Sequence, residues 1–147
     1  FAAEIRAATP LPFGDMIEAT VQAVARDHPS ARRIGVLAAA GCLDARLYET
    51  ALDRAGLKAV VPTGELRARF MDLVYRIKGG DTGADVRASM AAVAQGLLDQ
   101  GAEVLVAGCT EVPLALAADA VCAPLVSSTE VLARRTIELA FQSHEVA

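Results

Sequence analysis

Short apolar runs alternate along this chain with longer segments in which apolar residues recur every three or four positions. Runs of the first kind, which are typical of buried strands, occupy residues 33–40, 57–61, 104–107 and 124–126. Segments of the second kind, which predict amphipathic helices, occupy residues 15–25, 43–55, 63–77, 84–100, 114–120 and 129–141. This alternation predicts an α/β fold, a three-layer sandwich with helices on both faces of a parallel four-stranded sheet.

Apolar stripes identify the buried face of three of the predicted helices. The stripes are Leu43, Leu47, Tyr48 and Leu52 in the first, Leu66, Phe70, Leu73, Val74 and Ile77 in the second, and Val86, Met90, Val93, Ala94 and Leu97 in the third. Residues 1–8 have the pattern of the tail of a further helix, which the prolines at 10 and 12 end, because proline cannot occupy a helix interior. Residues 78–83 form the loosest predicted loop.

Composition and charge narrow the class of protein. A length of 147 residues suits one compact domain, and 54% hydrophobic with 22% charged residues is typical of a globular protein. The net charge of −4 and the scattered basic residues argue against nucleic-acid binding. No apolar run approaches the roughly 18–20 residues that span a bilayer, so we expect no membrane partner.

The cysteines and histidines argue against a disulfide framework and against a metal site. Three cysteines in a chain without a secretory signal favour reduced thiols and a cytoplasmic location. They are not in CxxC spacing, and His28 and His144 lie in segments predicted as a helix end and a tail. The glycines at 79, 80 and 83 do not have the order of a phosphate-binding loop.

The segment richest in potentially reactive side chains follows the third predicted strand. The apolar run 104–107 ends on Gly108, Cys109, Thr110 and Glu111, and ligands of parallel α/β sheets bind just beyond the carboxyl ends of strands. The simpler alternative, a small buried cysteine, is disfavoured by these polar neighbours. Glu111 has three possible roles: it orients Cys109, binds a substrate ammonium group or caps the helix that follows, and the cap is the favoured one.

Other polar positions have simpler structural explanations. Lys78 by spacing alone is a solvated cation at a helix end. Cys122 precedes a proline and is predicted to be a buried spacer. The stretch 127–129 is predicted to cap the last helix, with Glu130 in its first turn.

The order of several phrases in the chain resembles that of the aspartate/glutamate racemase family, specifically its C-terminal domain. The phrases are residues 33–41, 47–48, 61–62, 75–80, 108–114 and 128–133. The Gly-Cys-Thr-Glu form at 108–111 looks most like the aspartate racemase branch. The resemblance runs from about residue 1 to residue 141.

The resemblance implies a pseudo-symmetric two-domain fold, of which this chain is one half, with the substrate between the domains. It also implies catalysis without pyridoxal phosphate or metal, by two cysteines that face the substrate α-carbon from opposite sides. By position, Cys109 matches the acid/base thiol of the second domain. Lys78 matches a lysine that holds a substrate carboxylate, and Thr110 matches a position that lines the amino-acid pocket.

The chain departs from the family pattern in two places. The family's first cysteine lies just upstream of a segment resembling residues 1–9, so we expect the isolated chain to lack the opposite-face base and to be nearly inactive. The family also has Gly-Thr where this chain has Gly41-Cys42, so Cys42 stands at a carboxylate-binding position of the substrate pocket. Cys42 as the second base is disfavoured, because it follows a strand of the same sheet as Cys109.

These observations together predict a cofactor-independent racemase of aspartate, or of glutamate, in which Cys109 transfers a proton at the α-carbon. A thiol acts in this way when dipoles or positive charge lower its pKa, and we expect amide N–H groups and Lys78 to do so. Residues 1–31 are predicted to be a remnant of the N-terminal domain with a connecting helix, residues 32–128 the C-terminal α/β domain, and residues 129–147 a C-terminal helix and tail.

The predicted partners are a small amino-acid or dicarboxylate substrate, the missing N-terminal domain and a second copy of the chain, since an incomplete domain pair leaves an apolar face uncovered. Three alternatives stay open. The chain could act on another small carboxylate, it could be a non-catalytic ligand-binding or interaction domain, or it could sense oxidants through Cys42 or Cys109.

Overall fold

The structure, a computed structural model, describes residues 2–10 and 13–142. Its strands are β1 (Arg33–Leu37), β2 (Lys58–Val60), β3 (Val104–Ala107) and β4 (Leu125–Ser127). Its α-helices are α1 (Ala2–Ala8), α2 (Met16–Asp27), α3 (Ala40–Asp44), α4 (Leu47–Arg54), α5 (Gly64–Lys78), α6 (Ala84–Asp99), α7 (Val112–Ala115) and α8 (Ser128–Gln142). The predicted tail 143–147, which includes His144, and residues 1, 11 and 12 lie outside the described residues.

The strands form one parallel sheet in the order β2-β1-β3-β4. Successive side chains of a strand point to opposite faces, and the sheet is covered on both. Ile34 and Val36 pack with Val104 and Val106 in one apolar cluster, which we call the α4-face cluster because Tyr48 and Leu52 of α4 complete it together with residues of α2. The predicted three-layer α/β sandwich is confirmed.

The second cluster, on the opposite face, is the α6-face cluster. Leu37, Leu105 and Ala107 of the sheet pack there against α5, α6 and α7. The predicted stripe of α6 is confirmed in full, and Phe70, Leu73, Val74 and Ile77 of α5 are buried as expected. Burial of each Val, Leu, Ile, Phe or Met side chain among them contributes about 1.5–3 kcal/mol to folding before the cost of lost conformational freedom is subtracted.

One predicted helix is in fact two. Residues 43–55 were expected to be continuous, but the chain breaks between α3 and α4 at Arg46, whose φ of 51° is left-handed. This turn rotates α4 relative to α3, so Leu47 is 47% exposed and the prediction that it shares the buried stripe is wrong. Leu43, Tyr48 and Leu52 are buried as predicted.

Smaller differences occur at the ends of elements. The first strand stops at Leu37 rather than Ala40, because the chain turns there into α3. The predicted helix 114–120 is replaced by α7 and a short 3₁₀ turn, Ala118–Ala120. Within the described ranges, none of the helices combines the length and apolar character that a bilayer crossing requires.

The order of the strands determines where a ligand can approach. From β1 the chain passes through α3 and α4 to β2 on one side, whereas from β3 it passes through α7 to β4 on the other. The segments that follow β1 and β3 therefore diverge, which makes the carboxyl ends of these two strands a topological switch point. Crevices at such a switch point are where open α/β sheets bind their ligands.

Candidate active site

Cys109 lies at this switch point, two residues after the end of β3. The backbone N–H of Gly108 donates to the carbonyl of Leu37 at 2.9 Å, which keeps the turn beside the end of β1. The N–H of Val112 then donates to the carbonyl of Cys109 at 3.1 Å and starts α7. Cys109 is 9% exposed and packs in the α6-face cluster. Its position after β3 is the one that the sequence predicted.

Glu111 is paired with the thiol. The Sγ atom of Cys109 donates to Oε2 of Glu111 at 2.8 Å, and the hydroxyl of Thr110 donates to the same oxygen at 3.0 Å. Glu111 does occupy the N-cap position of α7, but its carboxylate makes no capping hydrogen bond to the helix. The favoured prediction, that Glu111 is a helix cap, is therefore wrong in its chemistry, and the alternative that it orients Cys109 fits the geometry.

The environment of Cys109 favours the neutral thiol. Burial, followed by the hydrogen bond to the Glu111 carboxylate, raises the pKa of Cys109 to about 11. The N–H of Glu111 and the charge of Lys78 lower that pKa, but they are outweighed. The prediction that the pKa of Cys109 is lowered is therefore wrong for this chain by itself. The effect on the partner is reciprocal, since the thiol and then Thr110 hold the pKa of the Glu111 carboxyl below its usual value against the effect of burial.

Lys78 is the last residue of α5 and is exposed. Its positive charge lowers the pKa of both Cys109 and Glu111, so it acts electrostatically on the same small region. Thr110 is exposed, and its hydroxyl donates to Glu111. The structure thus brings together four residues that the sequence singled out: Lys78, Cys109, Thr110 and Glu111.

The other two cysteines have different surroundings. Cys42 is half-buried in α3 and packs against the α4-face cluster, whereas Cys109 belongs to the cluster on the opposite face. Burial raises the pKa of Cys42, and the backbone N–H of Tyr48 partly offsets this. Cys122 is exposed between the 3₁₀ turn and β4, so the prediction of a buried spacer is wrong.

The residues that begin α8 support the end of β3 from the next strand. Ser127 accepts the N–H of Glu130 at 3.3 Å, which confirms the predicted cap. The buried hydroxyl of Ser128 donates to the carbonyl of Ala107 at 2.8 Å. Sequence patterns could not have revealed this second contact, because it joins residues 21 positions apart.

Apart from the thiol site, the described residues form a groove but no metal-binding cluster. Among the described residues, no group of three or more His, Cys, Asp or Glu side chains is arranged to hold a metal ion. A groove of about 340 Å³ lies between α2, β4 and α8, where Arg26, Arg134, Glu130 and Glu138 contribute charges of both signs. Cys109 and Glu111 are not among its lining residues, so the groove and the thiol site are separate features.

Comparisons with other proteins agree with the architecture. The sequence profile of the Asp/Glu/Hydantoin racemase family matches residues 1–136. A protein of Pectobacterium carotovorum subsp. carotovorum, described as an uncharacterized protein in the pnlA 3′ region, is 31% identical over 128 residues. The matched region covers 86% of this chain and 83% of that protein.

Solved structures share the fold at low sequence identity. A Yersinia pestis protein provisionally assigned as an Asp/Glu racemase has a TM-score of 0.85 at 23% identity, over 95% of this chain and 61% of that one. An aspartate racemase homologue from Pyrococcus horikoshii OT3 has a TM-score of 0.81 at 23% identity, over 94% and 60%. The aspartate racemase of Picrophilus torridus has a TM-score of 0.74 at 21% identity, over 86% and 52%. This chain thus spans only about half to three fifths of the length of these structures.

Proposed function

Because this chain belongs to the Asp/Glu/hydantoin racemase family, we propose that it forms one domain of an amino-acid racemase in which Cys109 exchanges the α-proton of the substrate. Fold similarity by itself leaves the chemistry open, since one fold hosts many reactions. The observation that carries the proposal is local. The thiol of Cys109 donates to the carboxylate of Glu111 at the switch point of the sheet, and the charge of Lys78 acts electrostatically on both groups.

Cys109 serves as the acid in the first direction of the reaction. With a pKa of about 11 it holds its proton at neutral pH. A base on the opposite face removes the α-proton, the electron pair left on carbon takes the thiol proton, and sulfur becomes a thiolate. In the reverse direction this thiolate removes the α-proton of the other enantiomer. Glu111 directs the S–H bond, because Sγ donates to its Oε2.

Lys78 and Thr110 bind the substrate in this proposal. A carboxylate beside the reacting carbon needs a compensating charge while negative charge develops, and preorganised donors of this kind lower barriers by a few kcal/mol. Lys78 supplies the charge and Thr110 an exposed hydroxyl. Cys42 is included among the proposed pocket residues because of its position in α3, the helix that follows β1.

The base on the opposite face is proposed to come from outside these 147 residues. Cys42 packs in the α4-face cluster and Cys122 is exposed near β4, so neither shares the surroundings of Cys109. This chain spans 61% of the Yersinia pestis structure and 60% of the Pyrococcus horikoshii one. We therefore assign the second thiol to a further domain that faces this one at the switch point.

Aspartate is the first proposed substrate and glutamate the second. The solved structures include two described as an aspartate racemase or its homologue and a glutamate racemase from Bacillus anthracis. One observation favours a different function. The high pKa of Cys109 fits a non-catalytic ligand-binding or interaction domain as well, because a thiol without a redox or base role needs no thiolate.

The test is α-proton exchange in D₂O, followed by NMR with D- and L-aspartate and then with the glutamates. The native protein is first weighed intact to establish its length, and the 147-residue chain is assayed beside it. We expect exchange by the native protein, a loss of about 10²–10⁴-fold in Cys109→Ser, and no effect in the control Cys122→Ser.

Three outcomes count against the proposal. Equal exchange in wild type and Cys109→Ser would remove Cys109 from the reaction. Binding of aspartate without any exchange would favour the non-catalytic domain. Robust racemisation by the 147-residue chain alone would show that the second base lies within it.

A further inference from the structure

Tyr48 lies directly beneath the turn that carries Cys109. A Cβ atom placed on Gly108 would lie 2.9 Å from Cε2 of Tyr48 and 3.3 Å from Cβ of Ala38. Carbon atoms do not approach so closely, so the ring leaves room for glycine alone at this position. The ring is 2% exposed and belongs to the α4-face cluster, on the other side of the sheet from Cys109.

The hydroxyl of Tyr48 lies near Ser128, which supports the same turn through its bond to the carbonyl of Ala107. Oη is buried, and among the described residues it has no hydrogen-bond partner. Burial raises the pKa of Tyr48, and the hydroxyls of Ser128 and Thr20 approach closely enough to offset part of this effect without meeting hydrogen-bond geometry. Both of these hydroxyls already donate elsewhere, Ser128 to the carbonyl of Ala107 and Thr20 to that of Met16.

We infer that Tyr48 is a positioning residue for Cys109: its ring packs against Gly108, fixes the position of this turn and thereby keeps the thiol buried against Glu111. Spacing in the sequence predicts only that Tyr48 is part of the buried stripe of its helix. The role assigned to Tyr48 rests on the proposed function, in which Cys109 transfers the proton. Its test follows the thiol itself, so a failed racemase assay would leave the result of this test standing.

The charged groups that act on the thiol are Glu111, which raises its pKa, and Lys78, which lowers it. If the ring is lost, the turn can move into the vacated space on the α4 face. This movement draws Sγ away from the α6-face cluster, lets water reach it and loosens the hydrogen bond to Glu111. Each of these changes lowers the pKa of Cys109, because burial and that hydrogen bond are its two largest raising causes. A thiol with a lower pKa contains more thiolate at neutral pH and reacts faster.

The experiment measures the rate at which iodoacetamide alkylates Cys109 between pH 7 and 11.5. Proteolysis after Glu103, Glu111 and Glu130 separates Cys109 from Cys122, so mass spectrometry follows each thiol and the exposed Cys122 serves as an internal reference. The variants are Tyr48→Leu, Tyr48→Phe and the control Leu52→Ala, which opens a cavity one turn further along α4 in the same cluster.

We expect Tyr48→Leu to raise the Cys109 rate at pH 7.5 by about three- to tenfold and to move the midpoint of the pH profile downwards. Tyr48→Phe keeps the ring and should keep the wild-type profile. Leu52→Ala should lower the melting temperature without moving the profile.

Three results would overturn the inference. An unchanged profile in Tyr48→Leu, or the same shift in Leu52→Ala, would reduce Tyr48 to an ordinary core residue. A shift in Tyr48→Phe as large as that in Tyr48→Leu would transfer the role from the ring to the hydroxyl.

A second measurement guards against a variant that fails to fold. Gly108→Ala forces a methyl group into the ring and should destabilise the chain, and combining it with Tyr48→Leu should recover part of that loss. Thermal unfolding of the two single variants and the double variant measures this coupling, since residues in contact are non-additive. Strictly additive effects would contradict the contact on which the inference depends.

Discussion

The Oε2 atom of Glu111 lies 2.8 Å from Sγ of Cys109 and accepts its hydrogen bond. A carboxylate in this position stabilises the thiol over the thiolate, because a thiolate beside it would be repelled. The pair therefore stores the proton on sulfur in the resting state, which is the form that the proposed return of a proton to carbon requires.

Glu111→Gln should make Cys109 more reactive at neutral pH. The substitution removes the negative charge that raises the pKa of Cys109, so the midpoint of its alkylation profile should fall below about 11. The rate at pH 7.5 should rise about three- to tenfold for each unit of pKa lost, since the larger thiolate fraction outweighs its lower nucleophilicity. Glu65→Gln, with the same charge change at the opposite end of α5, is the control and should leave the rate unchanged.

Lys78→Met should have the opposite effect. Lys78 lowers the pKa of Cys109, so its removal should move the alkylation midpoint upwards and slow the reaction near pH 9 by about two- to threefold. The matched control is Lys58→Met in β2. Identical profiles for wild type and Lys78→Met would show that the ammonium group lies too far from the thiol to act on it.

Gly35→Ala should destabilise the fold. A Cβ atom on Gly35 would lie 2.6 Å from Cδ2 of Leu105 and 3.0 Å from Cβ of Ala102, where β1 packs against the α6-face cluster. Overpacking of this kind costs about 1–3 kcal/mol, or roughly 2–4 °C of melting temperature per kcal/mol in a chain of this size. Gly41→Ala is the control, because a Cβ there meets nothing within 4 Å and alanine favours the helix α3. Equal melting temperatures for the two variants would contradict this account.

Glu103 should contribute to stability in a pH-dependent way. Its Oε2 accepts the backbone N–H groups of Arg32 and Arg33 at 2.6 and 2.8 Å, and these bonds hold the pKa of the carboxyl below its usual value of 4.5. A lowered folded-state pKa adds stability that is present above about pH 4.5 and is lost as the pH falls through the folded value. The urea midpoint of Glu103→Gln should therefore lie below that of wild type at pH 6 and converge with it near pH 3. A constant difference across that range would refute the linkage.

The long helix α6 and the four short strands were predictable from the sequence, whereas the break within 43–55 and the short helical turns near residue 115 were not. The five buried positions of α6 follow from spacing alone, because one helical face meets one apolar cluster. The break at Arg46 has no local signal, since arginine is a good helix former and the left-handed turn is imposed by packing of Tyr48 and Leu52. The replacement of the helix 114–120 by α7 and a 3₁₀ turn is a similar case of a short segment whose conformation depends on its surroundings.

At the candidate site, location could be predicted but environment could not. Strand patterning placed Cys109 at a carboxyl end of the sheet, and the structure agrees. The direction of its pKa shift depends on how deeply the thiol is buried and on the side-chain torsions of Glu111, neither of which a sequence contains. The roles of Cys109, Lys78, Thr110, Glu111 and Cys42 toward a substrate stay predictions. The division into segments 1–31, 32–128 and 129–147 also stays a prediction, although α2 packs within the α4-face cluster.

The three cysteines are graded in protection, from exposed Cys122 through half-buried Cys42 to buried Cys109. Cys42 and Cys109 also pack in different clusters on opposite faces of the sheet. The chain therefore contains a native labelling site for local unfolding of each hydrophobic cluster, Cys42 for one and Cys109 for the other. Cys122 is accessible without unfolding and provides the reference. Labelling rates measured in sub-denaturing urea would show whether the two clusters open as one cooperative unit or as separate foldons.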